Sequence, residues 1–194
     1  SGRYPPPPRE DDSTARASWE ADLAKVREEA KASKALAEAR QGDHTHAEIQ
    51  DWLRDLGRAL GYGVWVAAND RNRTVCGGKL SDGCLANLPG FPAGNGSDAV
   101  RLIDVLWVDP PSGRIVAAYE VEHTTSIYSG IVRMLDLALG TAVHALEGMF
   151  LVAPDGREDE VRTQLARPAF SRVADLKVRY LPYGELKANR ENIA

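Results

Sequence analysis

Apolar residues fall at helical spacing early in the chain. Ile49, Trp52, Leu53, Leu56 and Leu60 form one stripe, predicting a helix from about His46 to Leu60 with Asp43 or Thr45 as its cap and Gly61 and Gly63 at its end. The short apolar run Val64 to Ala68 reads as a strand. Residues 69 to 98 are rich in Gly, Asn, Asp and Pro and are expected to hold little regular structure. Long loops of this kind are often functional. Two further apolar runs, Val100 to Val108 and Arg114 to His123, flank the turn sequence Asp109-Pro110-Pro111-Ser112-Gly113 and predict a hairpin. A helix over about Ile127 to Glu147, a strand over Met149 to Val152, a helix over about Arg157 to Ala166 and a strand over Val178 to Leu181 complete the pattern.

Strands joined through helices pair in parallel, whereas the hairpin is antiparallel. The expected fold class is therefore α/β, a mixed central sheet flanked by helices. Upstream, residues 1–13 include Pro5 to Pro8 and read as a linker or cloning scar. Residues 14–42 are rich in Ala, Glu, Lys and Arg, with few apolar positions (Trp19, Leu23, Val26, Leu36). They predict a helical extension lying on the domain surface or on a partner. The domain itself is placed at 43–194. A first residue of Ser rather than Met points to a piece of a longer protein that carries an additional domain.

Composition narrows the function classes. Hydrophobic residues make up 43% and charged residues 27%, as in ordinary globular proteins. No apolar run approaches the roughly 20 residues of a membrane span, and no signal peptide is evident, so no membrane role is expected. Cys76 and Cys84 are too few for a disulfide framework, which makes a reducing, cytoplasmic setting the expectation. The net charge of -4 argues against gripping nucleic acid by charge alone.

Three carboxylates carry the chemistry. Asp104 sits within Leu102-Ile103-Asp104-Val105-Leu106-Trp107, and Glu120 and Glu122 within Ile115-Val116-Ala117-Ala118-Tyr119-Glu120-Val121-Glu122. Strands this apolar are expected to be central ones. Alternation directs Glu120 and Glu122 to one face and Val121 to the other. Buried carboxylates cost several kcal/mol or more without a partner. Three converging on one patch would repel, and a divalent cation such as Mg2+, which prefers oxygen ligands, relieves the repulsion. The plain alternative is a solvated sheet face.

Asp104, a hairpin turn and Glu120-x-Glu122 resemble the signature of the PD-(D/E)xK, or restriction-endonuclease-like, nucleases. The likeness covers about residues 45 to 183. Glu120-Val121-Glu122-His123-Thr124-Thr125-Ser126-Ile127-Tyr128-Ser129-Gly130 and Ala68-Asn69-Asp70-Arg71-Asn72-Arg73 are similar to strings in uncharacterised bacterial proteins with such domains. The resemblance implies an αβββαβ core and a Mg2+- or Mn2+-dependent DNA endonuclease in restriction or phage defence, with DNA as partner and a homodimer for cutting both strands. It implies metal ligation by Asp104, Glu120 and Glu48, the last on the first core helix, where an exposed first-turn glutamate is the alternative. The family's usual Lys is here Glu122, which would act as general base or as a second metal ligand.

Thr124 and Ser126 can cap the following helix or bind phosphate at its N-terminus. His123 reaches the site only if its strand ends there. Arg133 contacts phosphate or pairs with Asp136, and Arg71 and Arg73 contact a DNA backbone or simply line a solvated loop. Cys76, Cys84, His44 and His46 match no standard zinc module. The rival readings are an inactive nucleic-acid- or protein-binding module on the nuclease fold and a structure-selective repair or resolvase nuclease.

Overall fold

The computed structural model describes residues 17, 20–22, 24–29, 43–91, 98–123, 127–140, 146–167 and 178–193. Helix α1 (Asp43–Ala59) leads into β1 (Gly63–Val66), a two-strand hairpin of β2 (Thr74–Val75) and β3 (Gly78–Lys79), and the single turn α2 (Asp98–Arg101). Then come β4 (Val105–Val108), β5 (Ile115–Val121), α3 (Ile127–Gly140), β6 (Gly148–Ala153), a 3-10 turn at Asp155–Arg157, α4 (Glu158–Leu165), β7 (Val178–Pro182) and α5 (Tyr183–Ile193).

The main sheet has the order β1-β4-β5-β6-β7. β1 and β5 run antiparallel to β4, and β6 and β7 are parallel to β5 and to each other. This is the expected mixed sheet, and the predicted hairpin supplies its centre. At the turn, the Asp109 carboxylate accepts the Ser112 N–H at 3.1 Å, and Gly113 takes φ of +68°, a conformation that favours glycine.

Both faces of the sheet are covered. On one, Ile49 and Leu53 of α1 and Leu186 of α5 pack over Val105, Trp107, Tyr119 and Val121. Aromatic rings run along this face, with centroid spacings of 5.4 Å from Tyr62 to Trp107, 4.7 Å from Trp107 to Tyr119 and 5.0 Å from Tyr119 to Phe150. On the other face, Ile131, Met134 and Leu135 of α3 and Val161 of α4 pack over Leu106, Ala118, Met149 and Leu151.

Several expectations need correction. Leu60 closes the helical stripe in sequence but is 51% exposed, because α1 ends at Ala59. The strand expected from Val100 begins only at Val105; α2 occupies 98–101, and Asp104 stands in a bend just before β4. The loop expected over 69–98 contains the β2–β3 hairpin. Helix α5, which the apolar pattern did not reveal, follows β7 directly and mixes Tyr, Leu and Ile with Lys, Asn and Arg. The N-terminal extension is not merely a surface element: Val26 is fully buried in the α3-side core, and Arg167 pairs with Asp22 at 2.8 Å and Glu29 at 3.3 Å. Trp19, Leu23 and Leu36 lie outside the described residues.

Helix α1 approaches the sheet closely at Gly57. A Cβ there would fall 2.4 Å from Trp107 Nε1, which donates to the Leu53 carbonyl at 3.1 Å. Gly57→Ala is expected to destabilise the fold by about 1–3 kcal/mol through overpacking. Urea unfolding should show a lower midpoint with an unchanged slope.

Candidate active site

The end of the hairpin is where the two covering layers and the loop after β1 meet. Asp104, Glu120 and Glu122 are 4%, 0% and 1% exposed, which removes the reading of a solvated face. Glu122 stands just past β5, yet its N–H still donates to the Val152 carbonyl at 2.8 Å and holds it in register. Alternation sends Glu120 and Glu122 toward α3.

Asp104 is held from three directions. Its Oδ2 accepts the Val121 N–H at 2.7 Å. Its Oδ1 lies 3.2 Å from His46 Nε2 and accepts from Gln50 Nε2 at 3.1 Å. His46 and Gln50 are one turn apart on α1 and so share a face. Gln50 Nε2 also donates to Asp70 Oδ2 at 3.0 Å, and Arg73 Nε pairs with Asp70 Oδ1 at 3.0 Å. The Asp70 loop is fastened beside Asp104 by the Ala67 N–H, which donates to the Asp104 carbonyl at 3.0 Å. His46, Asp70 and Asp104 each offer one possible metal-binding atom, all within 4.8 Å of one another.

These charges shift one another. Burial works to raise the Asp104 carboxyl, but His46, Arg133 and the Val121 N–H outweigh it and hold it below the usual range. Burial works to lower His46, but Asp104 outweighs it and pulls the imidazole up.

Glu120 is gripped from α3. Arg133 Nε donates to Oε1 at 2.8 Å, and Arg133 Nη2 pairs with Oε2, forming a two-pronged ion pair. Burial pushes the Glu120 carboxyl well up, Arg133 opposes the shift, and Asp104 and Glu122 add to it. Burial works against the charge on Arg133 as well, but Glu120 outweighs it, with Asp104 and Glu122 acting in the same sense. Glu122 Oε1 accepts the Gly130 N–H at 3.1 Å and lies 3.3 Å from Ser129 Oγ. A Cβ at Gly130 would sit 2.8 Å from that oxygen and 3.1 Å from Glu120 Cβ, so a glycine lets α3 close on both glutamates.

The other expected residues are placed as follows. β5 ends before His123, whose ring stacks on Tyr183 of α5 at 5.9 Å and whose pKa is lowered by burial and by Arg157. Arg157 donates to the Glu122 carbonyl at 3.0 Å and the His123 carbonyl at 3.2 Å. Arg71 lies over the Trp65 ring at 4.7 Å. Thr124 and Ser126 lie outside the described residues. Glu48 is not brought to the cluster: it is two residues from both His46 and Gln50, about 200° round the helix, and acts on Asp51 instead. Among the described residues no cysteine joins a possible metal group, and His46 serves Asp104 rather than a zinc module with Cys76 and Cys84.

Sequence reasoning missed Gln50 and Asp70 and weighed His46 only within a zinc set that it set aside. The spacing His46-x-x-x-Gln50 was a usable signal, as was Asp70 inside the Ala68–Arg73 string.

The chain that carries this site is similar to restriction-enzyme C-terminal domains. The family of the type II restriction enzyme NmeDI C-terminal domain matches residues 25–192, and the chain is a member of it. The type II restriction enzyme NmeDI of Neisseria meningitidis serogroup C is 30% identical over 149 residues, 73% of this chain and 41% of that protein. The chain thus spans about two fifths of the length of this relative. No solved structure is significantly similar.

The Arg133–Glu120 pair yields a stability prediction. Arg133→Met leaves a fully buried carboxylate without its counter-charge and should cost about 3–5 kcal/mol. The Glu120→Gln, Arg133→Met double variant should recover most of that loss. Denaturant unfolding of both variants checks this; equal losses in the two would mean that the guanidinium does not compensate the carboxylate.

Proposed function

We propose that this chain is the cleaving domain of a type II restriction enzyme, a metal-dependent DNA endonuclease with a PD-(D/E)xK-type centre on the β4–β5 hairpin. The observation that carries this reading is the joint burial of Asp104, Glu120 and Glu122 at the end of that hairpin. Membership of a restriction-enzyme family supports it. So does the order of helix, three main-sheet strands, helix and strand, which agrees with a restriction-endonuclease-like core.

The residues present fit a divalent cation. The three carboxylates offer hard oxygen donors, buried together at one end of the sheet, and burial beside one another disfavours their charges until a cation joins them. Asp104 and Glu120 would hold Mg2+ or Mn2+. When bound, such a cation polarises the scissile phosphate and lowers the pKa of a water. Glu122 accepts a proton from the attacking water, its carboxylate steered by Gly130 and Ser129. Arg133 turns from Glu120 to the phosphate and offsets the charge that builds on it. Arg71, Arg73, His123, Thr124 and Ser126 contact the DNA backbone. Cutting both strands takes two copies of the chain, and acting on intruding DNA places the protein in the cytoplasm.

Two features favour a second reading, a DNA-binding module without chemistry. Glu122 stands where the resembling nucleases usually carry Lys, and Arg133 already occupies Glu120.

Plasmid and phage DNA, modified and unmodified, should be cut by the wild type with Mg2+ or Mn2+. Asp104→Asn should cut roughly 100-fold more slowly or not at all. Cleavage by Asp104→Asn at the wild-type rate would sink the assignment. DNA retention in a gel shift without cleavage would favour the binding module.

A further inference from the structure

We propose that His46, Gln50, Asp70 and Asp104 form a mixed nitrogen–oxygen site for a divalent transition-metal ion, with Mn2+ favoured over Mg2+. The site shares Asp104 with the proposed nuclease centre, but it uses a different donor set and does not rest on that reading. His46, Asp70 and Asp104 bring one imidazole nitrogen and two carboxylate oxygens within 4.8 Å of one another, on ligand atoms supplied by α1, the loop after β1 and the bend before β4. None of the three is a sequence neighbour of another, so the grouping is made by the fold. An imidazole among the ligands moves selectivity away from Mg2+ and toward first-row transition metals.

The independent observation is Gln50. Its side chain is fully buried and aimed between the two carboxylates, with Nε2 donating to Asp70 Oδ2 at 3.0 Å and to Asp104 Oδ1 at 3.1 Å. Its Oε1 is buried and has no hydrogen-bond partner among the described residues. The amide orientation therefore answers the two carboxylates rather than any need of its own oxygen. One polarised N–H2 group stands where two anionic oxygens call for positive charge. A cation meets that demand more fully. Rotation about the last torsion of Gln50, which is broad and roughly two-fold, then turns Oε1 inward as a neutral fourth ligand. The side chain of His46 is 22% exposed and that of Asp104 only 6%, which leaves His46 as the open edge of the cluster.

The test uses the whole chain and Mn2+ alone, without DNA. Titration followed by electron paramagnetic resonance measures free Mn2+, and pulsed measurements read nitrogen coupling from a bound imidazole. Wild type should bind Mn2+ with a nitrogen signature and at least about tenfold more tightly than Mg2+. Asp70→Asn should weaken binding at least about tenfold, and His46→Ala should abolish the nitrogen signature. Gln50→Glu, which adds a charged oxygen, should tighten binding about tenfold. Glu48→Gln, at a position on α1 outside both donor sets, should leave all of these unchanged. His46 lies at the partly exposed edge, so His46→Ala keeps the test valid if a variant at a buried position fails to fold.

Mn2+ binding that survives Asp70→Asn and His46→Ala but is lost in Glu120→Gln would overturn the inference and leave the proposed nuclease centre standing. No Mn2+ binding by the wild type, or binding without nitrogen coupling, would overturn it too; the nuclease reading would then be decided by the cleavage assay. Failure of Gln50→Glu to tighten binding would remove Gln50 from the ligand set.

Discussion

Carboxylates buried inside a sheet that is covered on both faces are the constraint on which the rest of this structure turns. Asp104, Glu120 and Glu122 end the central hairpin in surroundings that would otherwise be apolar. Each needs compensation, because a buried carboxylate without a partner costs more than most single contacts contribute. Every neighbouring element supplies some. α1 offers His46 and Gln50, α3 offers Arg133 and the Gly130 N–H, and β5 gives Asp104 the Val121 N–H. Removing the carboxylates would remove the reason for much of this polar architecture.

The two covering layers divide the task. The α1 face compensates Asp104 through a side-chain network that also reaches Asp70, whereas the α3 face compensates Glu120 with one strong two-pronged pair. The close approach of α3 depends on a missing side chain, since a Cβ at Gly130 would press on the Glu122 carboxylate. Helix α5 completes the end of the site by laying Tyr183 against His123. The N-terminal segment belongs to the same body, because Val26 closes part of the core beneath α3. The family match, which begins at residue 25, takes in the part of this segment that carries Val26.

The curated relative extends well beyond the matched portion, since this chain corresponds to 41% of its length. A domain that concentrates buried acid at a sheet end while carrying a net charge of -4 does not gain affinity for DNA from overall charge. In the proposed function, cleavage belongs to this domain, and the grip on DNA rests on local basic residues.

Local patterning alone was enough to determine the mixed sheet, the central hairpin, the helices α1, α3 and α4, and the three carboxylates at the hairpin's end. The physical reason is that apolar periodicity and turn chemistry are properties of neighbouring residues, and charged residues in an apolar strand stand out against them. The start of β4 was misjudged because α2 is a single turn, too short to show helical periodicity, and α5 was overlooked because its apolar residues make no clear stripe. The partners of the carboxylates were settled by tertiary structure. Arg133 is 13 residues from Glu120, Gln50 is 54 from Asp104, and Asp70 comes from a loop that is anchored only once β1 and β4 have paired. Glu48 and His46 illustrate the difference. Both lie at the start of the same helix, the family resemblance favoured the glutamate, and the rotation of α1 against the sheet turned the histidine inward instead.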